Sequence, residues 1–551
     1  MMKGLEINTL SFNDEGINTL KSMDYNNYPI VYILHDNKKK KSAYIGQTVQ
    51  MRNRMKAHLK DEKKKGLDSV LLIAHEMFNQ SATYNIETNL INYFIADNKY
   101  VLKNVSQTTK AVTHNYYDKY KYDDEIFSEL WERLRADELA DHTLEYLQNK
   151  DVFKLSPYKE LSESQVELKE EILDFCKHHI NTDKRSVFLV KGDAGTGKSV
   201  VLSSTFNAIQ DLSKDEDSSL KGTNNYLLVN HNEMIKTYES ISESLPNLKK
   251  KNFMKPTSFI NQVDKTGEIV DITFVDEAHL LLSRSDKYNS YSGENQLRDI
   301  SLRSKVTIVV FDERQFLKLK SHWSGNLLKE MTDGAYTQNY ELTDQFRIQA
   351  DQEVVDWIDA FVDKKVKPFP ESTGDYELKF FDSAAEMFKA IQEKDDEHQL
   401  SRVVATFDYE HKKDGEEYYV EEPGFKGVWN RTHYKETWAE RPETVREVGS
   451  IYTIQGFDLN YVGVILGPSV SCDEEKQELK LLPQKYKDKE AFRTSSETKV
   501  QYNVEEMKEQ IILNSINVLM KRGVKGLYLY ASDEKLQAVL KEKYQGGQGN
   551  G

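Results

Sequence analysis

The spacing of apolar residues changes several times along the chain, and each change marks a different element. Beyond residue 28, "IVYIL" and "SAYIGQT" are short β-rich runs separated by the polar stretch 36–41. "MRNRMKAHLKDEKKKG" reads as a charged helix that stops at Gly66, and "SVLLIAHEM" is a further apolar run. In "NIETNLINYFIAD", Ile86, Leu90, Ile91 and Phe94 recur with helical spacing along one side. Downstream, Phe127, Leu130, Trp131 and Leu134 stand at i, i+3, i+4 and i+7, the stripe of an amphipathic connector helix.

From about residue 160 the pattern becomes continuous apolar runs alternating with helices. "SVFLVKG" (186–192), "YLLVN" (226–230), "DITFVDEAH" (271–279) and "KVTIVVFDE" (305–313) look like parallel strands covered on both faces. A second set, "RVVATF" (402–407), "VGVILG" (462–467) and "KGLYLYA" (525–531), predicts a second α/β lobe. The expected organisation is a multidomain α/β chain. Residues 1–27 read as an extension, 28–115 as a small α+β domain and 116–160 as a helical connector. Residues 161–350 and 351–535 form two parallel-sheet lobes, and 536–551 a flexible tail ending "QGGQGNG".

Charge refines this picture. The chain carries −15 overall, which argues against indiscriminate nucleic-acid binding. Residues 1–125 nevertheless hold 18 Lys and Arg against 15 Asp and Glu, a balance of +3 that leaves −18 for the remainder. Cys176 and Cys472 match no metal-ligand spacing, so neither a zinc site nor a disulfide framework is expected. No signal core or spanning segment is legible, and the expectation is a cytoplasmic protein without a membrane partner.

The sharpest chemical signal is "GDAGTGKS", in which Gly192, Gly195, Thr196, Gly197, Lys198 and Ser199 fit G-x-x-x-x-G-K-[ST] between a strand and a helix. Its glycines let backbone N–H groups turn in on phosphate oxygens, aided by the helix N-terminus. Lys198 would reach the β/γ-phosphates and Ser199 would ligate Mg2+. In "FVDEAH", Asp276 would hold the Mg2+ and Glu277 would orient or deprotonate the attacking water.

Over residues 160–535 the ordered motifs resemble a superfamily 1 helicase-type ATPase. The likeness is to a bacterial domain of unknown function related to the Schlafen helicase-like region. The resemblance implies two RecA-like lobes that bind ATP between them. It assigns Gln165 in "LSESQ" to adenine, Gln315 in "VVFDERQ" to the γ-phosphate, and Arg347 in "TDQFR" and Arg522 in "INVLMKRG" to the developing charge. Thr453, Gln455 and Gly456 of "SIYTIQG" would lie near nucleotide or nucleic acid. One departure is Lys521, where the family usually has a hydroxyl residue.

Residues 28–110 resemble the GIY-YIG nuclease family. Ile30-Val31-Tyr32 stands for the first triplet, with Ile and Val in place of Gly and Ile, and Tyr44-Ile45-Gly46 is a complete second triplet. Arg54 and His58 follow at i, i+4 on one helix face, then Glu87 and Asn104. The resemblance implies that Tyr32, Tyr44 and His58 assist the nucleophile. Arg54 stabilises phosphoryl charge, and Glu87 holds a divalent cation, Mg2+ or alternatively Mn2+.

The resulting expectation is an ATP-dependent nucleic-acid-processing enzyme that joins an endonuclease to a helicase or translocase, with DNA ahead of RNA as partner. A protein partner or homo-oligomer is allowed, and the domain pairing suggests restriction or anti-phage defence. Two other readings stay open. One is a repair helicase whose N-terminal domain binds without cutting; the other is a regulatory ATPase that gates partner assembly.

Overall fold

The structure is a computed structural model. It describes residues 4–20, 26–36, 38, 41–104, 116–192, 195–245, 247–282, 285, 291–312, 316, 332–342, 350–412, 414–431, 438–454, 457–493 and 503–548. By its packing the chain divides into two compact units. One comprises Met1–Asn181, Ser199–Leu227 and Met234–Met254; the other comprises Thr182–Lys198, Leu228–Glu233 and Lys255–Gly551.

The first unit is built on strands β1 (Leu5–Ser11), β2 (Asn26–His35), β3 (Ser42–Gln50), β4 (Ser69–His75) and β5 (Val101–Leu102), in the order β1-β4-β2-β3-β5. The β2–β3 pairing is antiparallel and sets Tyr32 opposite Gly46 and Leu34 opposite Tyr44. Ile30, Tyr32 and Leu34 share one face of β2 and Val31 and Ile33 the other, and all five are fully buried. Both faces of this strand are therefore covered, which explains its unbroken apolar run. The helix Gln80–Asp97 packs on β2 and β3 and carries Glu87 inward. Asn79 caps its start by accepting from Ala82 N at 2.9 Å, and Asn98 ends it in the left-handed region.

Two sequence expectations need correction here. Residues 1–27 are not a mere extension: β1 pairs with β4 from Leu5↔His75 to Ser11↔Ser69, and Phe12, Ile17 and Leu20 join the core. The tail is likewise not flexible through residue 548. Glu534–Gln548 is a helix that buries Leu536, Val539 and Leu540 against the strands Glu377–Phe380, Val470–Asp473 and Gly523–Ala531 of the second unit. The expected connector helix forms as Phe127–Ala136, with its four stripe residues buried.

The remaining strands are β6 (Ser186–Gly192), β7 (Asn225–Val229), β8 (Phe253–Met254), β9 (Val270–Asp276), β10 (Ser304–Phe311), β11 (Tyr336–Leu342), β12 (Glu377–Phe380), β13 (Arg402–Ala405), β14 (Tyr419–Glu422), β15 (Phe425–Trp429), β16 (Glu447–Gly449), β17 (Leu459–Leu466), β18 (Val470–Asp473), β19 (Glu478–Leu481) and β20 (Gly523–Ala531). In the second unit β11, β6, β10 and β9 lie side by side, all parallel. A seven-stranded sheet follows the order β12-β20-β17-β13-β16-β15-β14, parallel except for the β14–β15 hairpin. The chain is thus a multidomain α/β protein with two parallel-sheet regions. Among the described residues no helix is long and apolar enough to cross a membrane.

Candidate active sites

In the first unit β2, β3 and the helix Met51–Leu59 converge on one cluster. Tyr32 Oη and His58 Nε2 are 2.7 Å apart, and Arg54 Nε donates to Tyr32 Oη at 3.2 Å. Tyr44 stacks at 6.3 Å from Tyr32 and meets His58 edge-on at 5.1 Å. Gly46 makes the arrangement possible, because a Cβ there would sit 2.4 Å from the Tyr32 hydroxyl. Asn104 pins the same strand, accepting from Ile45 N at 3.0 Å and donating to Ile45 O at 2.8 Å.

The electrostatics follow from burial. Desolvation, then the nearby Lys64 and Arg54 charges, push His58 down to about 3. The imidazole is neutral, and its tautomer decides whether Tyr32 Oη or His58 Nε2 donates in their bond. Burial raises Tyr32 and Tyr44 above the usual phenol range. Burial also raises the Glu87 carboxyl to about 8, with Arg54 pulling the other way. A carboxyl so placed ionises readily when a cation lies beside it, which suits a divalent ion. Among the described residues no three His, Cys, Asp or Glu side chains gather as a cage. A single carboxylate with water and phosphate oxygens is the usual magnesium arrangement.

In the second unit, the neighbouring strands β6, β10 and β9 end together, at the carboxyl edge where parallel sheets bind ligands. β6 leads into the glycine-rich turn. Gly195 and Gly197 take φ of +89° and +76°, which side chains resist, and a Cβ on Gly192 would meet Leu342 O at 2.8 Å. Lys198 Nζ donates to Gly192 O at 2.7 Å and stands 3.5 Å from Asp312 Oδ2, just past β10. Asp276 ends β9 fully buried, and its Oδ1 accepts from Glu277 N at 3.0 Å.

Glu277 itself is a non-glycine residue at φ +51°, a strained conformation of the kind that clusters at functional sites. Burial alone would raise its carboxyl. His279, Lys198 and Arg522 together outweigh burial and hold it well below the usual carboxylate range. The His279 Nε2 to Glu277 Oε2 separation is 2.9 Å, an ion-pair distance without hydrogen-bond alignment. Arg522 is buried and donates to Phe457 O at 3.1 Å. Lys198, Glu277 and Arg522, far apart in sequence, therefore share one electrostatic neighbourhood.

Other sequence assignments fare differently. Gln165 is the third residue of a capping box: its Oε1 accepts from Ser162 N at 3.1 Å and its N–H donates to Ser162 Oγ at 3.3 Å. Thr453 turns its hydroxyl onto Ser450, donating to the carbonyl at 2.9 Å. Lys521 is buried and pairs with Asp359 at 2.6 Å, so the departure from the family pattern is a structural ion pair. Ser199 is the second residue of the helix Lys198–Leu212. Gln315, Arg347, Gln455 and Gly456 lie outside the described residues. Asp312 and His279 were missed as site residues. An acidic residue directly after an apolar parallel strand was the available signal for Asp312.

Within the first unit a largely buried relay of hydrogen bonds links two helices. Ser156 Oγ donates to Asn92 Oδ1 at 2.6 Å, and Asn92 Nδ2 donates to Tyr158 O at 2.9 Å. Ser203 Oγ donates to Leu155 O at 2.6 Å and Ser204 Oγ to Pro157 O at 3.2 Å. Segment 155–158 thereby ties the Glu87-bearing helix to the helix that follows the glycine-rich turn.

Comparison with known proteins gives three kinds of relative. Residues 185–533 match the family model described as Schlafen group 3, DNA/RNA helicase domain. Uncharacterized protein YPL245W of Saccharomyces cerevisiae is 40% identical over 412 residues, covering 69% of this chain and 90% of the yeast protein. Among solved structures, the Pif1 helicase from Candida albicans has 14% identity and a TM-score of 0.22, over 43% of this chain and 55% of that chain. The arterivirus nonstructural protein 10 (helicase) in complex with DNA has 13% identity and a TM-score of 0.25, over 67% of this chain and 58% of that chain. This chain spans little more than half the length of either solved chain, and both likenesses are loose.

Proposed function

The chain belongs to the Schlafen group 3 DNA/RNA helicase family, and from that premise we propose an ATP-dependent nucleic-acid-processing enzyme with its own phosphodiester-cleaving site. Residues 185–533 are a helicase-type ATPase domain. The finer assignment, a GIY-YIG nuclease in the first unit, rests on one observation: Tyr32 is bonded to both His58 and Arg54 above Gly46.

That geometry supports a definite proton path. Water attacks phosphorus and gives a proton to Tyr32 Oη as the phenol proton moves to His58 Nε2, a step that needs the bound phosphate's negative charge to raise His58 above its unliganded value of about 3. Arg54 stabilises the phenolate character that develops on Tyr32, and its guanidinium fork also matches phosphate oxygens. The new bond joins water oxygen to phosphorus, and the bond to the sugar oxygen breaks, that oxygen taking the electron pair and a proton from solvent water. Glu87 would hold the divalent cation, Mg2+ or Mn2+, which acts as a Lewis acid at the scissile phosphate.

At the ATPase site Lys198 would neutralise the β/γ-phosphates and Glu277, held ionised, would orient the attacking water. Asp276 would hold Mg2+, with Ser199 as the ligand that the sequence pattern adds. Arg522 is the cation assigned to the developing charge, supported by its influence on Glu277. We take DNA as the first substrate to test. The pairing of cleavage with an ATP-driven motor suits restriction or anti-phage defence.

The test is a panel of labelled duplex DNA, single-stranded DNA and RNA with Mg2+ or Mn2+, with and without ATP. The parent is expected to cut and to hydrolyse ATP. Glu87→Gln should hydrolyse without cutting, and Lys198→Ala should not hydrolyse. ATP hydrolysis without cleavage of any substrate would leave a helicase with a non-cleaving first unit. Hydrolysis indifferent to nucleic acid would favour a regulatory ATPase instead.

A further inference from the structure

The lysines of the turn after the helix Met51–Leu59 read, by sequence, as solvated charge. Lys64 is different. Its side chain is only 10% exposed, against 77% for Lys65 beside it. Its Nζ is 2.5 Å from Asp61 Oδ2. Asp61 is itself fixed, because its other carboxylate oxygen accepts from Lys63 N at 3.0 Å and caps the short turn Glu62–Lys64. The same ammonium lies 4.2 Å from the centroid of the Tyr44 ring.

A lysine head withdrawn from water needs compensation, and a carboxylate with an aromatic face supplies it. A structural lysine would be satisfied by Asp61 alone. Here the ring it covers is the tyrosine of the complete triplet, and that ring meets His58 edge-on.

We propose that Lys64 is a positioning residue of the first unit's site: anchored by Asp61, it seats the Tyr44 ring against His58 and sets a fixed positive charge beside the imidazole. The catalytic meaning of this rests on the phosphodiester-cleaving reading; the geometry does not. His58 is faced by Tyr32 from β2, Tyr44 from β3, Arg54 from its own helix, and Asp61 and Lys64 from the turn. The helix Asp14–Thr19, which also packs there, keeps Asp14 and Glu15 exposed. Lys64 and Arg54 disfavour imidazolium and Asp61 favours it. Removing Lys64 therefore lifts the His58 midpoint while leaving the imidazole neutral near pH 7, so the loss of cutting comes from the unseated Tyr44 ring.

The experiment titrates isotope-labelled histidine by NMR in the full-length parent, Lys64→Met and Lys64→Arg, with His58→Gln assigning the resonance. Cleavage kcat and KM are measured on the same proteins. The expected result is a His58 that stays neutral below pH 5 in the parent and in Lys64→Arg. Its midpoint should rise by about one unit in Lys64→Met. Cleavage kcat should fall about tenfold in Lys64→Met with KM within about twofold, and Lys64→Arg should recover most of it. Should Lys64→Met fail to fold, Lys64→Gln repeats the charge loss with a polar stem. An unmoved His58 midpoint in the neutral variants overturns the proposal, as does a loss that Lys64→Arg does not rescue. If the midpoint moves as expected while the parent cuts nothing, Lys64 keeps its place in the site and the cleavage reading is the one that fails.

Discussion

Tyr32 illustrates how tightly single residues are constrained. Its hydroxyl bonds to His58 Nε2, accepts from Arg54 Nε and occupies the space a side chain at position 46 would need. Gly46→Ala must displace the ring, since a Cβ 2.4 Å from the hydroxyl is not accommodated by small relaxation. The expected cost is about 1–3 kcal/mol of stability and a cleavage loss of about 100-fold or more, comparable to Tyr32→Phe. Chemical denaturation and single-turnover cleavage check this, and a Gly46→Ala variant cutting at the parent rate contradicts it.

His58 gives a pH prediction at the same scale. Its folded value, about 3, lies below the ordinary value of 6.5. As pH falls below 6.5 the unfolded chain takes up a proton that the folded chain refuses, so stability drops until about pH 3. The loss at pH 5 is about 2 kcal/mol as an upper figure. Hydrogen exchange of the β2 and β3 amides should reveal it between pH 7 and 5, and His58→Gln should remove most of that difference.

At the scale of elements, apolar runs told the truth about strands buried on both faces. β6, β9, β10, β17 and β20 fall where their runs stand, because covered parallel strands need apolar residues at every position. β11, "YTQNYEL", was illegible: it is an edge strand whose residues before Leu342 are exposed or half-buried, positioned by β6 rather than by its own pattern. The helix Glu534–Gln548 was misread because its Gly-rich end and low apolar content resemble a tail. Its three large aliphatic residues, Leu536, Val539 and Leu540, are all buried. Truncation after Asp533 is expected to cost several kcal/mol, each buried leucine contributing about 2–5 kcal/mol in comparable cores. A clear fall in melting temperature is the expected readout; an unchanged melt would restore the tail reading. The candidate sites were half legible. Residue types at strand ends pointed to Lys198, Asp276 and Glu277. The backbone strain at Glu277 and the Asp312 and Asp359 partners of the lysines depend on pairings that no local pattern carries.

For the whole molecule the notable contact is the buried relay through segment 155–158. It joins the Glu87-bearing helix to the helix following the glycine-rich turn, both within the first unit. Asn92→Leu would remove the Asn92 bonds to the buried Ser156 hydroxyl and to the Tyr158 carbonyl, at about 1–3 kcal/mol. Faster hydrogen exchange along Gln80–Asp97 would register that loss, and unchanged exchange would mean the relay is not holding that helix.

The central claim is that this family member carries its own phosphodiester-cleaving site in the first unit. The most direct measurement is cleavage of end-labelled DNA by full-length parent and Glu87→Gln in Mg2+ or Mn2+, with ATP hydrolysis followed in the same tubes. The account predicts metal-dependent cutting by the parent and none by Glu87→Gln, with hydrolysis equal in both. Equal cutting by the two proteins would contradict it.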